Sequence, residues 1–342
     1  MSQTWRLVAK AVLVLACLIY LGYNLSALGP GEVFAAAKQC HPGWLLLSLL
    51  PLAARFWLWS YKWAKMVSRQ FPLGFQLSQR LVMAAAFINL VTPTAKLGGA
   101  FYRAIFLKQR LAFRASNAYG WVFADQMAHL SGNLLLLGLL TIVAPNFMPA
   151  MGGSLPYWGT SAFCFCVIGL FIASRERLWR KAQTAKVPEV LSRWLSAKMA
   201  ALRGPGSQDS VKHFLQPWLA SGKMSQFLSV EMGMSALSFA MLGLANAWVL
   251  RSLGAEFSLL PVMLVVLLAY LGGSVLGIMG GIGVTEVFLL KAYPLVGLTH
   301  TEAAAGALLH RALFYLFVLG VGGWSFGVLR KKKPAESVNV AQ

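Results

Sequence analysis

Residues 277–311 read GIMGGIGVTEVFLLKAYPLVGLTHTEAAAGALLHR, and within this apolar stretch the run Gly280-Gly281-Ile282-Gly283 interrupts any continuous helix. Glu286 follows the glycine break by three residues, and Arg311 stands twenty-five residues further on in a second apolar segment. Opposite charges in hydrocarbon-grade sequence, beside backbone that cannot stay helical, leave few folds open. An ionisable residue within a membrane marks a functional site by default. Non-helical backbone at that depth is tolerated only where protein or a water-filled cavity covers it. The expectation is therefore a site inside the membrane, organised around a discontinuous helix.

Composition agrees with that setting. Of 342 residues, 58% are apolar and 12% charged, with a mean hydropathy of +0.65, far more apolar than a soluble domain. The formal net charge of +20 points first to topology, because the basic residues fall in loops beside apolar spans, where the positive-inside rule expects them. No nucleic-acid partner is expected. Cys17, Cys40, Cys164 and Cys166 include three in apolar stretches and form no CxxC pair, so neither a metal or redox site nor a disulfide framework is expected. Arg6 and Lys10 precede an apolar run, and Ala35-Ala36-Ala37 beyond it is similar to a signal-peptide cleavage site. That run exceeds the ~7–15 residues of a signal core and reads as a span instead. Helical spans imply the cytoplasmic (inner) membrane, since outer-membrane proteins are barrels of alternating strands.

A span needs ~20 mostly apolar residues. Spans are expected at about 7–28 and 44–66, the second carrying Arg55 and emerging at Lys62, Lys65 and Arg69 on the cytoplasmic side. The next apolar piece, Leu81 to Val91, is too short to cross and meets the breaker Thr92-Pro93-Thr94-Ala95-Lys96-Leu97-Gly98-Gly99. With basic residues on both flanks, 80–108 reads as a re-entrant helical hairpin. Residues 116–144, holding Asp125, Gln126, His129 and Asn133, and 157–174 cross again, joined by a loop without charge. The segment 175–225 carries ten Lys and Arg up to Lys223 and is cytoplasmic. Within it Val187, Val190, Leu191, Trp194, Leu195, Met199 and Leu202 recur at helical spacing. Such a basic amphipathic helix suits an anionic leaflet surface or the cover of a bundle. A span at 227–250, a second hairpin at 259–298 and a span at 303–329 complete the chain before the basic cytoplasmic tail 330–342.

The fold class is thus an all-α polytopic membrane protein with six full transmembrane helices and two re-entrant hairpins, both termini cytoplasmic. The order span, span, hairpin, span occurs twice, over 1–144 and over 157–329, in opposite orientations. Halves of opposite orientation characterise inverted-repeat transporters, whose sites lie near the midplane where discontinuous helices meet. Placing Ala100 on Glu286 puts Asp125 on Arg311 without a gap.

At these residues the chain resembles the lysylphosphatidylglycerol synthase transmembrane family, also described as flippase-like. The resemblance lies in Gly280-Gly281-Ile282-Gly283-Val284-Thr285-Glu286, followed by Leu308-Leu309-His310-Arg311 and Gly320. In the first half the family pattern runs Pro, glycines, GExxR and an Arg in the next span. Pro93, Gly98, Gly99 and Arg103 match it, whereas the family Glu falls on Ala100 and the family Arg on Asp125. Arg55 and Trp59 are similar to the family's early Arg and Trp, so the resemblance spans essentially the whole chain. It implies a lipid-translocating fold of two such halves. The family's synthases carry a further soluble aminoacyl-transferring domain, and a stand-alone member is not expected to make lysyl-lipid by itself.

A phospholipid or glycolipid headgroup crossing the core needs polar partners in place of water. Backbone N–H groups near Gly280, Gly281 and Gly283, and near Gly98 and Gly99, suit a phosphate at a positive helix end. Lys96 and Arg103 are candidate cationic contacts, Arg being suited to bidentate phosphate binding. Glu286 and Arg311 either form a structural ion pair or exchange partners with the headgroup. Arg103 and Lys108 either serve the site or snorkel at the cytoplasmic flank. Asp125 faces the bundle and either binds a cationic headgroup, pairs with Arg103 or carries a proton. Arg55 either packs on the neighbouring tryptophans or lines a cavity. His129, His300 and His310 read as packed or interfacial rather than catalytic.

Three functions fit these residues. The first is a transporter or scramblase moving a lipid or lipid-linked headgroup, its substrate anionic or phosphate-bearing. No GxxxxGK[ST] loop occurs, so movement would be passive or coupled to an ion gradient, with no cofactor. The second is an integral-membrane lipid-modifying transferase, but there is no HExxH motif, GxSxG elbow or external acidic pair. The third is a non-transporting membrane partner that docks a lipid-synthesis enzyme through 175–225.

Overall fold

A computed structural model describes residues 29–92, 97–110, 113–143, 157–183, 227–275, 281 and 283–331, with scattered positions from 12 to 26 and at 213, 214 and 217. The described residues contain no strand. In chain order the helices are α1 (Pro30–Lys38), α2 (Pro42–Leu47), α3 (Leu49–Val67), α4 (Phe75–Val91), α5 (Leu97–Arg110), α6 (Ala115–Val143), α7 (Tyr157–Gln183), α8 (Met234–Ser252), α9 (Leu259–Val275), α10 (Val284–Ala292), α11 (His300–Phe317) and α12 (Gly323–Lys331). A π-helical turn, Phe227–Gly233, leads into α8, and another, Val318–Gly322, joins α11 to α12.

Four helical stretches are long and apolar enough to cross a membrane: Pro42–Val67, Ala115–Val143, Val230–Ser252 and His300–Lys331. They correspond to the expected spans at 44–66, 116–144, 227–250 and 303–329. The expected span at 7–28 lies almost wholly outside the described residues, as do the amphipathic segment 187–202, Lys96, Gly280 and the tail beyond Lys331. The stretch 157–174 belongs to the longer helix α7, whose apolar part is Gly159–Leu170. Outward-facing Leu46, Phe163, Leu170 and Leu316 are 65–69% exposed, apolar faces that suit lipid rather than water.

The helix before the first break starts earlier than hydropathy suggests. α4 begins at Phe75 rather than near residue 80, because its polar opening is satisfied internally: the Ser78 hydroxyl donates to the Ser60 carbonyl at 2.6 Å. Arg80 lies 5.8 Å over the Trp324 ring. The second break keeps its glycine logic, since Gly281 (φ 88°) and Gly283 (φ 83°) are left-handed, a region open to Gly at little cost.

Packing follows one pattern in both halves. α3 lies on α4, α4 on α5 and α5 on α6; in parallel, α8 lies on α9, α9 on α10 and α10 on α11. The halves interlock reciprocally, α6 against α9 and α12 against α4, while α3 and α8 run against each other. A backbone bond from His41 N to Ser252 O, 2.6 Å, ties the start of α2 to the end of α8. Two large apolar cores result, beside a small cluster of Val33, Leu290, Ala304 and Ala305. One is built around Trp63, Leu81 and Trp121, the other around Leu242, Leu264 and Tyr293.

Small residues let these backbones approach, as membrane helix packing requires. A Cβ at Gly99 would sit 2.2 Å from the Ala85 carbonyl oxygen, and one at Gly322 2.7 Å from that of Met83. Gly99→Leu is accordingly expected to destabilise the fold by roughly 1–3 kcal/mol through forced backbone shifts. Gly272→Ala, with nothing within 4 Å of the added carbon, should leave stability unchanged. Thermal midpoints of both variants in detergent, read by tryptophan fluorescence, check the contrast.

Candidate functional site

Helix α3 supplies the frame. Residues seven apart on an α-helix return to nearly the same face, so Arg55, Trp59, Lys62 and Met66 form one stripe, which Arg69 continues in the turn after Val67. The intervening Lys65 points away, exposed, with its ammonium 5.5 Å from the Tyr61 ring. Lys62 therefore does not emerge at the interface with its neighbours as its position suggests. It is fully buried, and its Nζ lies 2.8 Å from Asp125 Oδ1.

Asp125, on α6, is the hub of the first cluster. Its Oδ2 accepts from Arg103 Nη1 at 2.7 Å and from Trp59 Nε1 at 3.1 Å, and the whole side chain is 0% exposed. Arg103 is not a snorkelling flank: it is buried, stacked 4.4 Å from the Trp63 ring and 5.3 Å from that of Trp59. Lys108, by contrast, is exposed. His129 lies 3.9 Å from Asp125 and packs edge-on to Trp59. Of the three alternatives for Asp125, pairing with Arg103 is the one seen, with Lys62 added.

The second cluster centres on Glu286, at the first turn of α10. Arg311 Nε donates to Glu286 Oε1 at 2.5 Å, and Tyr315 closes the triangle, accepting from Arg311 Nη2 at 2.6 Å and donating to Glu286 at 3.2 Å. Glu286 Oε2 and Arg103 Nε are buried without a hydrogen-bond partner. Behind Arg311, His310 meets Asn246, whose Oδ1 accepts from Tyr293. The two clusters have mirrored polarity. In the first the cation stands on α5, just after the break, and the acid on α6; in the second the acid stands on α10, just after the break, and the cation on α11.

Arg55 joins them. Its guanidinium lies over Phe56, Phe239 and Tyr270, at 5.6–5.8 Å, and not over the tryptophans adjacent in sequence. Tyr270 is also contacted by Arg311, and Phe239 by His129. Arg55 Nη1 is buried without a hydrogen-bond partner. Of the glycines, Gly281 and Gly283 are buried at the start of α10 and Gly98 is half-buried. The Gly99 N–H is already taken by Asn89 Oδ1 at 2.8 Å.

A third pair completes the count. Arg69 donates to Glu231 at 2.5 Å, and Glu231 is fully buried within the π-helical turn. Along the bundle, the five cations Arg55, Lys62, Arg69, Arg103 and Arg311 thus stand against three carboxylates, Asp125, Glu231 and Glu286, none of which pairs with Arg55. Among the described residues, two positive charges inside the bundle have no matching carboxylate. Uncompensated buried charge is costly, and an anion of one or two charges would remove the imbalance.

Comparison with known proteins places the whole chain among membrane proteins of one family. A family model described as lysylphosphatidylglycerol synthase TM region matches residues 7–322. A UPF0104 membrane protein of Pyrococcus horikoshii is 22% identical over 291 residues, covering 82% of this chain and 85% of the relative. Another, from Methanothermobacter thermautotrophicus, is 21% identical over 322 residues, covering 91% and 93%.

Proposed function

The chain belongs to the family described as the lysylphosphatidylglycerol synthase TM region, and on that premise we propose that this multi-pass membrane protein binds a phosphate-bearing lipid headgroup at its buried cations and carries it between leaflets. The observation behind this reading is the surplus of two positive charges in an apolar bundle. A lipid phosphate supplies the missing charge, and guanidinium groups suit it geometrically. Glu286 is held through one oxygen only, which favours release of Arg311 to a passing phosphate while the Tyr315 hydroxyl stays on the carboxylate. The role is that of a carrier without covalent chemistry, passive or gradient-driven, in the cytoplasmic membrane.

The architecture that serves this role is six spans and two re-entrant hairpins, 80–108 and 259–298, in an inverted repeat. Reciprocal packing of α6 on α9 and of α12 on α4 supports it, and so does the mirrored polarity of the two ion clusters. The basic segment 175–225 would rest on the anionic leaflet and offer a docking surface to a lipid-synthesis enzyme.

The test is leaflet exchange of fluorescent phosphatidylglycerol in vesicles. The intact protein should accelerate exchange over empty vesicles, and Arg311→Ala and Glu286→Gln, if still folded, should lose about ten-fold or more, the factor for one charge-assisted contact. Exchange no faster than in empty vesicles, or unchanged in both variants, sinks the carrier reading at this site.

A further inference from the structure

The stripe on α3 has a matching stripe on α8. The helices run antiparallel and are joined by three polar contacts, two of them made by α3 cations and one by the Arg55 backbone, while the Arg55 guanidinium itself lies over Phe239 of α8. The Ser238 hydroxyl donates to the Arg55 carbonyl at 3.2 Å, Lys62 Nζ donates to the Ser235 hydroxyl at 2.9 Å, and Arg69 donates to Glu231 at 2.5 Å. Residues 231, 235 and 238 share one helical face just as 55, 62 and 69 do. The two helices therefore meet along a charged seam rather than the apolar one expected of membrane helices. Seven residues of helix rise ~10 Å, so the three cations are spaced evenly over ~20 Å, two-thirds of a hydrocarbon core of ~30 Å.

The outermost rung differs from the others. Arg69 is 19% exposed, whereas Glu231, Lys62 and Asp125 are sealed. Glu231 and Ser235 are further joined, the Ser235 hydroxyl donating to the Glu231 carbonyl at 2.7 Å. The turn that holds Glu231 is π-helical, a departure from α geometry frequent at functional sites. Close packing braces it from behind: a Cβ at Gly132 of α6 would sit 2.4 Å from the Ser235 Cβ.

We infer that the α3/α8 seam is a second anion-binding site, a stepwise track for the lipid phosphate, with Arg69 and Glu231 as the rung that admits it from the cytoplasmic side. The inference rests on the carrier reading for its direction of travel, but binding along the seam is independent of transport. The phosphate displaces Glu231 from Arg69, then Asp125 from Lys62, and reaches Arg55, which has no carboxylate to displace. The first two steps exchange one anion for another at a fixed cation and the third brings an anion to Arg55, so no step strips a cation of its counter-charge. Phosphate class follows from the rungs: two of the three cations are guanidinium groups, whose donor forks match phosphate oxygens. A neutral lipid lacks the charge to exchange.

The experiment uses the full chain in phosphatidylcholine vesicles doped with a photoactivatable phosphatidylglycerol whose diazirine lies beside the phosphate. A photoactivatable diacylglycerol serves as the phosphate-free control. Mass spectrometry of the labelled protein should find phosphatidylglycerol adducts on the buried seam, at Met66 and its neighbours on α3 and α8, and none there from diacylglycerol. Seam labelling should fall by about ten-fold or more in the neutral double variant Arg69→Gln/Glu231→Gln, which leaves no unpaired charge to unfold the protein. Adducts confined to lipid-facing positions such as Trp57 and Leu316, or equal labelling by diacylglycerol, overturn the inference. Seam labelling without accelerated exchange would leave this site standing and remove the carrier reading. Fast exchange with an unlabelled seam would do the reverse.

Discussion

Asp125→Asn is expected to destabilise the protein by roughly 3–5 kcal/mol, the range for breaking a buried ion pair from one side. The shape of the side chain is kept, so the loss isolates its charge. Asn leaves Lys62 and Arg103 facing each other across a site where all three side chains are at most 1% exposed, and neither cation has another carboxylate within ion-pair distance among the described residues. Removing one of those cations as well should relieve the strain. Asp125→Asn/Lys62→Met is expected to be more stable than Asp125→Asn alone, although it carries one more substitution, because only Arg103 then remains, held by the Trp59 and Trp63 rings. Thermal unfolding of the single and double variants in detergent, analysed as a double-mutant cycle, measures the coupling. A double variant whose losses simply add would mean that Lys62 and Asp125 do not compensate each other. The same cycle with Glu231 tests the third rung.

Much of this arrangement was legible in the residues alone, and what was not has identifiable causes. The glycine break and the acid three residues after it are local signals, and Glu286 does meet Arg311. The loop charges that organised the spans are local too, and four of the expected spans are continuous long helices. Lys62 was misjudged because it stands with Lys65 and Arg69 at the end of an apolar run, where a basic cluster ordinarily marks the interface. Periodicity was the signal that could have separated them, since 55, 62 and 69 share a face that excludes 65. The partners of Arg55 were out of reach for a different reason. Its rings, Phe239 and Tyr270, come from the second half of the chain, and no local pattern links residues so distant. Glu231 reads as a lone acid until α8 is laid against α3. Hydropathy trims α4 at its start because Gln76, Ser78, Gln79 and Arg80 lower the average, while the fold satisfies Ser78 from within.

The residue that best separates a headgroup site from a structural network is Arg55. Among the described residues, every other cation of the bundle has a carboxylate within 2.8 Å, so its removal breaks an ion pair and confounds function with folding. Arg55 has none among the described residues: it is held by three rings, and its Nη1 has no hydrogen-bond partner. A desolvated guanidinium so placed costs the apo fold rather than stabilising it. Arg55→Met keeps the aliphatic reach over Phe56 and Tyr270 and deletes the charge. It is expected to hold thermal stability within ~1 kcal/mol of the intact protein or to raise it, because hydrophobic replacement of buried charge is often neutral or favourable. Phosphatidylglycerol exchange should nonetheless fall by about ten-fold or more, since the step between the two clusters loses its only anion acceptor. Arg311→Ala should lose both exchange and stability, because it leaves the buried Glu286 without its cation, with only the Tyr315 hydroxyl donating to it. If Arg55→Met exchanged lipid at the full rate, the surplus positive charge would have no part in transport. If it unfolded as readily as Asp125→Asn, its ring contacts would be structural, and the surplus would have to be neutralised elsewhere in the bundle. Stability kept and exchange lost is the combination that only a ligand-binding cation produces.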